Sequence, residues 1–524
     1  MKLQQLRRPK LSQIRDYLLK QPAGNAAIAA FVCGVVTHLY GLVNTIHNYD
    51  DITQLPSGYG TGVTSGRWFL SLIGDFFGSL GGNWNLPVIN GLLFLALLAL
   101  SAGFLVHTLH IERKASAILA GMLFVVFPAA ASTMIFRYTA VYYGLAILLS
   151  VLAVWILEKR SAFLPLSALC MACSLGIYQA YMPITISLFV LLLLRQTLLG
   201  QRSLWELIRR GLFYCSALIL GLLLYYVFLR LSLALSHSTL NNYQGIQDMG
   251  NLSFSELPAL IRRAVGSVLR IPVKDYCGIN TLGILKGIYL LLGILSLCAI
   301  SHALIFRVRK WSMAFLTAVL CFAFVLAVNF IVIMCPKAGI YTLMVYSFVL
   351  LSCAPLMIIE CLPSANRTQL RLRSILSRGC SWLLAVLICT YIYTTNANYS
   401  VIYFANRQTE NYITSLVTQV RMSEGFDPEQ RWAFIGTLSD PLLQSKWNAV
   451  SRFGGFSSSL DLLRGYSWPH WITHYIGYTV PMASAEEIQE LASSESVLSM
   501  PCWPKDGSIQ IIEDTIVIKF SQPE

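Results

Sequence analysis

Asp50 and Asp51 are adjacent carboxylates just after the first apolar stretch of a chain that is poor in acids; only 11 of its 25 Asp and Glu precede residue 400. A carboxylate beside a bilayer is costly, so acids found there are functional candidates. These two sit in Asn48-Tyr49-Asp50-Asp51, and Gly66-Arg67-Trp68 follows in the same polar segment. Neighbouring side chains point to opposite faces of a strand, or diverge by about 100° on a helix. The two acids are therefore expected to do different jobs, one as a general base and the other orienting it or binding an acceptor. Their mutual repulsion raises one of the two pKa values, which suits a carboxylate that takes a proton from an alcohol. The competing reading is a solvated loop that ends a helix. Acid and cation together at one membrane face suggest chemistry on a phosphorylated lipid.

Four cations, Arg67, Arg137, Lys274 and Lys337, each come from a different polar connection. Arg137 lies in the very short Phe136-Arg137-Tyr138, and Lys337 in Cys335-Pro336-Lys337-Ala338-Gly339. A lipid phosphate sits at that depth, and Arg and Lys are its natural partners. The alternative for each is snorkelling to headgroups; Arg262 and Arg263, on an expected surface helix, fit bulk headgroups better. Tyr49, Trp68, Tyr138, Tyr178 and Gln179 are the expected sugar- and acceptor-binding set, because aromatic and amide side chains stack on a pyranose and bond its hydroxyls. Tyr142 and Tyr143 read more simply as an aromatic belt. The sequence contains no P-loop, HExxH, GxSxG or zinc-spaced cluster. His47 is the one histidine placed beside the acidic pair. Neither a metal nor a cofactor is expected.

The elements that must position these residues are membrane spans. The chain has 524 residues, 56% hydrophobic and 12% charged, against about 25% charged in soluble domains. Apolar runs of roughly 15 to 25 residues, the length that crosses a bilayer, recur at 26–46, 86–106, 115–136, 139–157, 162–178, 183–199, 211–231, 281–306, 312–334, 341–360 and 381–397. The expected architecture is thus an all-α polytopic membrane protein of about 11 transmembrane helices. With the N-terminus inside, the inner connections collect 21 Lys and Arg and the outer ones before residue 400 seven, as the positive-inside rule requires. The bases fall beside apolar spans, which argues against nucleic acid as a partner. Residues 1–25 read as a basic amphipathic cytoplasmic segment, not a cleavable signal. A helix is expected at 253–269, capped by Ser253 with Glu256 at N3, and an interfacial helix at 67–80. Residues 400–524 hold 14 acids and 8 bases and read as a small extracytoplasmic α/β domain: a strand at 431–436, a helix at 483–492, and a hairpin turning at Glu513-Asp514. Most cysteines lie in apolar runs and read as small hydrophobes, Cys170 and Cys173 included.

Asn48-Tyr49-Asp50-Asp51, Gly66-Arg67-Trp68, Gly176-Ile177-Tyr178-Gln179-Ala180-Tyr181 and the terminal Ser499-Met500-Pro501-Cys502-Trp503-Pro504-Lys505 together resemble the glucosyl transferase II family, which includes serotype-converting glucosyltransferases of bacteriophage and bacteria. The resemblance covers nearly the whole chain. It implies a GT-C type catalytic domain over 26–399. It further implies a bacterial inner-membrane location with the C-terminal domain periplasmic, and a polyprenyl-phosphate sugar donor, most often undecaprenyl-phosphate glucose. The acceptor it implies is a surface polysaccharide such as the O-antigen of lipopolysaccharide, and the transfer would invert the anomeric centre. By position, the catalytic acid is Asp50 or Asp51, with Asp50 slightly favoured. Arg67, Arg137, Lys274 and Lys337 as phosphate ligands follow from charge and topology alone. The rival functions are a lipid-linked sugar flippase, which needs polar residues through the membrane, and a polysaccharide polymerase or ligase, which favours an outer loop rich in Arg and His.

This topology predicts that a C-terminal tag on the intact protein is cut by protease added to the outer face. Cleavage only from the cytoplasmic side would overturn it.

Overall fold

The computed structural model describes residues 21–241, 255–337, 339–438, 453–457 and 459–523. The expected segment 1–25 therefore lies largely outside the described residues, as does Ser253. Among the described residues, nine helices are long and apolar enough to cross a membrane, and a bent pair, Lys114–Val126 with Pro128–Met134, makes a tenth. The stretch expected as a span at 162–178 is a shorter apolar helix, Ser161–Ile177. Proline lies in the first turn of many of these helices, including Pro22–Val43, Pro87–Thr108 and Leu257–Leu269. Its missing N–H costs nothing there. Pro258 also moves the start of the last of these: Glu256 stands at the N-cap with no side-chain cap bond, rather than at N3.

Two expected spans are interrupted, and both interruptions have a local cause. The 115–136 stretch bends by 42° between Val126 and Pro128, where proline removes a helical hydrogen bond. The 312–334 stretch stops at Val328. There Asn329 turns its side chain to other elements, donating to the Ala264 carbonyl at 3.1 Å and accepting from the Tyr276 hydroxyl at 2.9 Å. A short helix, Ile331–Met334, and a 3-10 segment, Thr342–Phe348, follow before regular helix resumes at Val349–Glu360.

The helices pack closely where residues are small. A Cβ on Gly121 would come within 2.3 Å of the Ala26 carbonyl oxygen, so the Pro22–Val43 and Lys114–Val126 backbones touch there. Close approach of this kind is how membrane helices gain contact without a hydrophobic driving force.

The last long helix, Arg367–Arg421, is 55 residues, about 80 Å of continuous rod. It runs unbroken through 399–400, the expected domain boundary. Its second half joins the C-terminal core, where Ile413, Leu416 and Val420 pack with Trp432, Trp468 and Trp471. Beside it lies a three-stranded sheet in the order β1-β3-β2, formed by β1 (Arg431–Ile435), β2 (Ile509–Ile512) and β3 (Thr515–Lys519). β1 and β3 run parallel with Arg431 opposite Thr515; β2 and β3 form the expected hairpin, with Ile512 opposite Thr515. Glu513 and Asp514 both have positive φ, 47° and 67°, as the two central residues of a type I′ turn do. The Ser499–Lys505 motif docks on this hairpin: Trp503 N–H donates to the Lys519 carbonyl at 2.7 Å, and the buried Lys519 ammonium donates to the carbonyls of Val497, Leu498 and Met500.

Gly121→Val should force the two backbones apart and cost about 1–3 kcal/mol, read as a fall in melting temperature in detergent. An unchanged melting temperature would mean that the helices do not meet at this point.

Candidate functional site

The two acids part company completely. Asn48 accepts from the backbone N–H of Asp50 (2.9 Å) and Asp51 (2.7 Å) through one side-chain oxygen. This local turn, of the kind short amide side chains make with the backbone just ahead of them, leads into the 3-10 turn Asp51–Gln54. The turn sends Asp51 inward. It is fully buried, bonded to His47 Nδ1 at 2.6 Å and to Asn85 Nδ2 at 2.9 Å. His47 is in turn clamped by Asn406 of the long helix, which accepts from its N–H at 2.8 Å and donates to its carbonyl at 2.9 Å. Asp51 is a fastening between the first loop and the C-terminal region.

Asp50 faces the other way, into a cavity of about 560 Å³. Its lining is mixed: Asp50, Thr53, Gln54, Thr61, Arg67 and Gln179 are polar, and Ile331, Ile340, Leu343 and Met344, from the irregular stretch that follows the break at Asn329, are apolar. Irregular backbone at membrane depth is tolerated where it lines such a space. Burial pushes the Asp50 carboxyl above the ordinary carboxylate range; the Tyr466 hydrogen bond and the Arg464 and Arg67 guanidinia oppose this, and Asp51 adds to it.

Arg67 reaches Thr61 Oγ1 at 3.1 Å and lies over the Tyr178 ring at 5.1 Å. Tyr178 stacks on Tyr143 with ring centroids 4.4 Å apart, and both line the cavity with Tyr49 and Tyr138. Gln179 also lines it, but its amide nitrogen donates to the Ser65 carbonyl and the Tyr225 hydroxyl, each at 3.2 Å.

Four expected site residues lie elsewhere. Arg137 is buried and donates to the carbonyls of Gly41 and Asn44, both at 2.9 Å; the carbonyl end of the Pro22–Val43 helix attracts a cation. Trp68 is buried against Phe228, Leu229 and Leu233. The absence of a side chain at Gly176, where a Cβ would lie 2.6 Å from the indole, makes room for it. Lys274 and Lys337 are exposed and are not among the lining residues.

Two residues that sequence reasoning missed complete the polar end. Tyr466 donates to Asp50 Oδ1 at 2.7 Å, and burial together with that bond holds its phenol above the usual pKa, so it remains a donor. The Arg464 guanidinium lies 3.7 Å from the Tyr49 ring centroid. Both come from the C-terminal region, more than 400 residues along the chain, and their only sequence signal is an aromatic and a cation in an otherwise acidic segment. Tyr143, read as belt, is the third.

The sequence pattern of the family described as Glucosyl transferase GtrII matches residues 39–352, more than half of the chain. The chain belongs to the Glucosyl transferase GtrII family. Membership implies glucosyltransferase activity in a multi-pass membrane protein. The GtrII match includes Asp50, Arg67, Tyr138 and Tyr178 and stops short of Arg464 and Tyr466. No curated protein matches the chain, and no solved structure does. Among the described residues of this GtrII-family chain, no group of three or more His, Cys, Asp or Glu could hold a metal ion.

Asp51→Ala should lower stability by about 3 kcal/mol, because it leaves buried His47 and Asn85 groups unpaired. Asp50→Asn, at the cavity wall, should change the melting temperature little. Equal effects of the two would contradict this division of roles.

Proposed function

We propose that the chain is an inverting, GT-C type glycosyltransferase that moves glucose from a polyprenyl-phosphate donor to a surface polysaccharide at the outer face of the membrane. The observation that carries this reading is one carboxylate, Asp50, in a cavity of mixed polar and apolar lining that Arg67 and Arg464 share, both near enough to act on the Asp50 charge. A polyprenyl-phosphate sugar has the same mixed character. Its apolar chain suits Ile331, Leu343 and Met344, and its phosphate suits the guanidinia.

In this mechanism Asp50 takes the proton of the acceptor hydroxyl as its oxygen attacks the anomeric carbon. The bond from that carbon to the phosphate oxygen breaks, and the polyprenyl phosphate leaves with the electron pair. Arg67 and Arg464 stabilise the charge that develops on the phosphate. Tyr466 occupies one oxygen of Asp50 and fixes the carboxylate, so the other oxygen serves the acceptor. Tyr49, Tyr138, Tyr143 and Tyr178 supply faces for the sugar ring. Arg137 and Trp68 act indirectly, by fixing the first helix and the Gly66-Arg67 turn.

Asp50→Asn should reduce glucosyl transfer from purified undecaprenyl-phosphate glucose at least 100-fold. Because the base must be ionised, activity should fall as pH drops through the Asp50 pKa, and this acidic limb should lie above the ordinary carboxylate value of about 4. Full activity in Asp50→Asn would remove the base from the mechanism. Donor binding and flipping without sugar transfer in the wild type would favour a transporter.

A further inference from the structure

The connection between the Leu204–Leu235 and Gly283–Val308 helices carries a second concentration of positive charge. Arg262, Arg263, Arg270 and Lys274 fall within 13 residues, and no acid lies between residues 257 and 274. The Leu257–Leu269 helix is firmly seated. Leu260 and Ala264 pack on Val332 and Ile333, and the Ala264 carbonyl accepts from Asn329. At about 100° per residue, Arg262 projects from the face opposite this buried one and Arg270 follows on its flank, and all four cations are exposed. Beside them Leu269 and Val273 are 65% and 73% exposed. Exposed aliphatic side chains interleaved with cations, a few residues before the next membrane helix begins, mark a helix lying in the headgroup layer.

None of these cations lines the cavity, so they do not meet a donor phosphate at the reacting position. They nevertheless lie on the cavity's side of the membrane: Arg263 donates to the Pro336 carbonyl at 3.0 Å, and the adjacent Cys335 lines the cavity.

We infer that the segment 257–274 is a docking surface for the headgroups of anionic phospholipids in the leaflet that the cavity faces. The guanidinia meet the lipid phosphates, and Leu269 and Val273 enter the acyl boundary. Through the Arg263–Pro336 contact, the docked helix also holds Pro336 beside Cys335, which lines the cavity.

The test uses the full-length protein in phosphatidylcholine nanodiscs, with and without phosphatidylglycerol. Hydrogen exchange is followed across 257–274, and retained lipid is counted by native mass spectrometry. Phosphatidylglycerol should slow exchange in this segment at least tenfold. R262Q/R263Q/R270Q should abolish the effect, with a loss of about fivefold in apparent lipid affinity per cation. R262K/R263K/R270K, which keeps the charge, should retain the lipid and guards against simple misfolding. Three outcomes would overturn the inference: equal exchange in both bilayers, undiminished lipid retention by the glutamine variant, or a response to added undecaprenyl phosphate alone. None of these readouts depends on glucosyl transfer, so the proposed activity stands or falls separately.

Discussion

A carboxylate with no solvent contact fixes the geometry of the cavity. Asp51 is satisfied by His47 and Asn85, two residues of the same polar loop, and His47 is held by Asn406 of the long helix. A buried charge is tolerable only where its hydrogen bonds are complete, so this network leaves the loop little freedom to rearrange. Its neighbour then has no choice of direction. With Asn48 bonded to both backbone N–H groups, Asp50 faces the cavity because Asp51 faces the protein. One acid supplies rigidity, and that rigidity aims the other into the cavity.

The same economy governs the membrane part. Two spans are interrupted, at Pro128 and at Asn329, and residues that follow each break along the chain reach the cavity: Phe136 and Tyr138 after the first, Ile331, Cys335, Leu343 and Met344 after the second. An unbroken helix would have spent this backbone on its own hydrogen bonds. Breaking it yields apolar lining in the cavity that the arginines share, and low polarity there strengthens each charge that faces it.

Much of this was legible in the chain. Apolar runs marked the membrane helices, since length and composition alone decide whether a segment can cross a bilayer. The Glu513-Asp514 turn and the strands beside it were legible because turn chemistry is local. The divergence of Asp50 and Asp51 followed from adjacency. The cations that line the cavity were not legible as a set. Charge and topology brought Arg137, Lys274 and Lys337 to one face, but orientation depends on partners, and Arg137 found carbonyl oxygens at the end of a helix. Trp68 was taken by a hydrophobic cluster for which Gly176 makes room. Arg464 and Tyr466 were invisible because nothing local to residue 464 encodes its distance from residue 50. The continuous helix through the boundary expected at 399–400 was hidden for a related reason: apolar composition ends there, but helical hydrogen bonding continues.

That continuity turns the length of the protein's last long helix into an angular constraint. Asn406 must face His47, while Leu384 and Leu387, some five turns earlier, face the membrane core. Adding one residue between them would swing Asn406 by about 100° and lift it about 1.5 Å. Seven residues would nearly restore the angle but raise the C-terminal core by about 10 Å, pulling it off Ile52, which is inserted into it from the first loop. No insertion satisfies both angle and height. The stretch between the membrane and the C-terminal core, although it carries neither the cavity's carboxylate nor its guanidinia, should therefore be the part of this chain least tolerant of change in length.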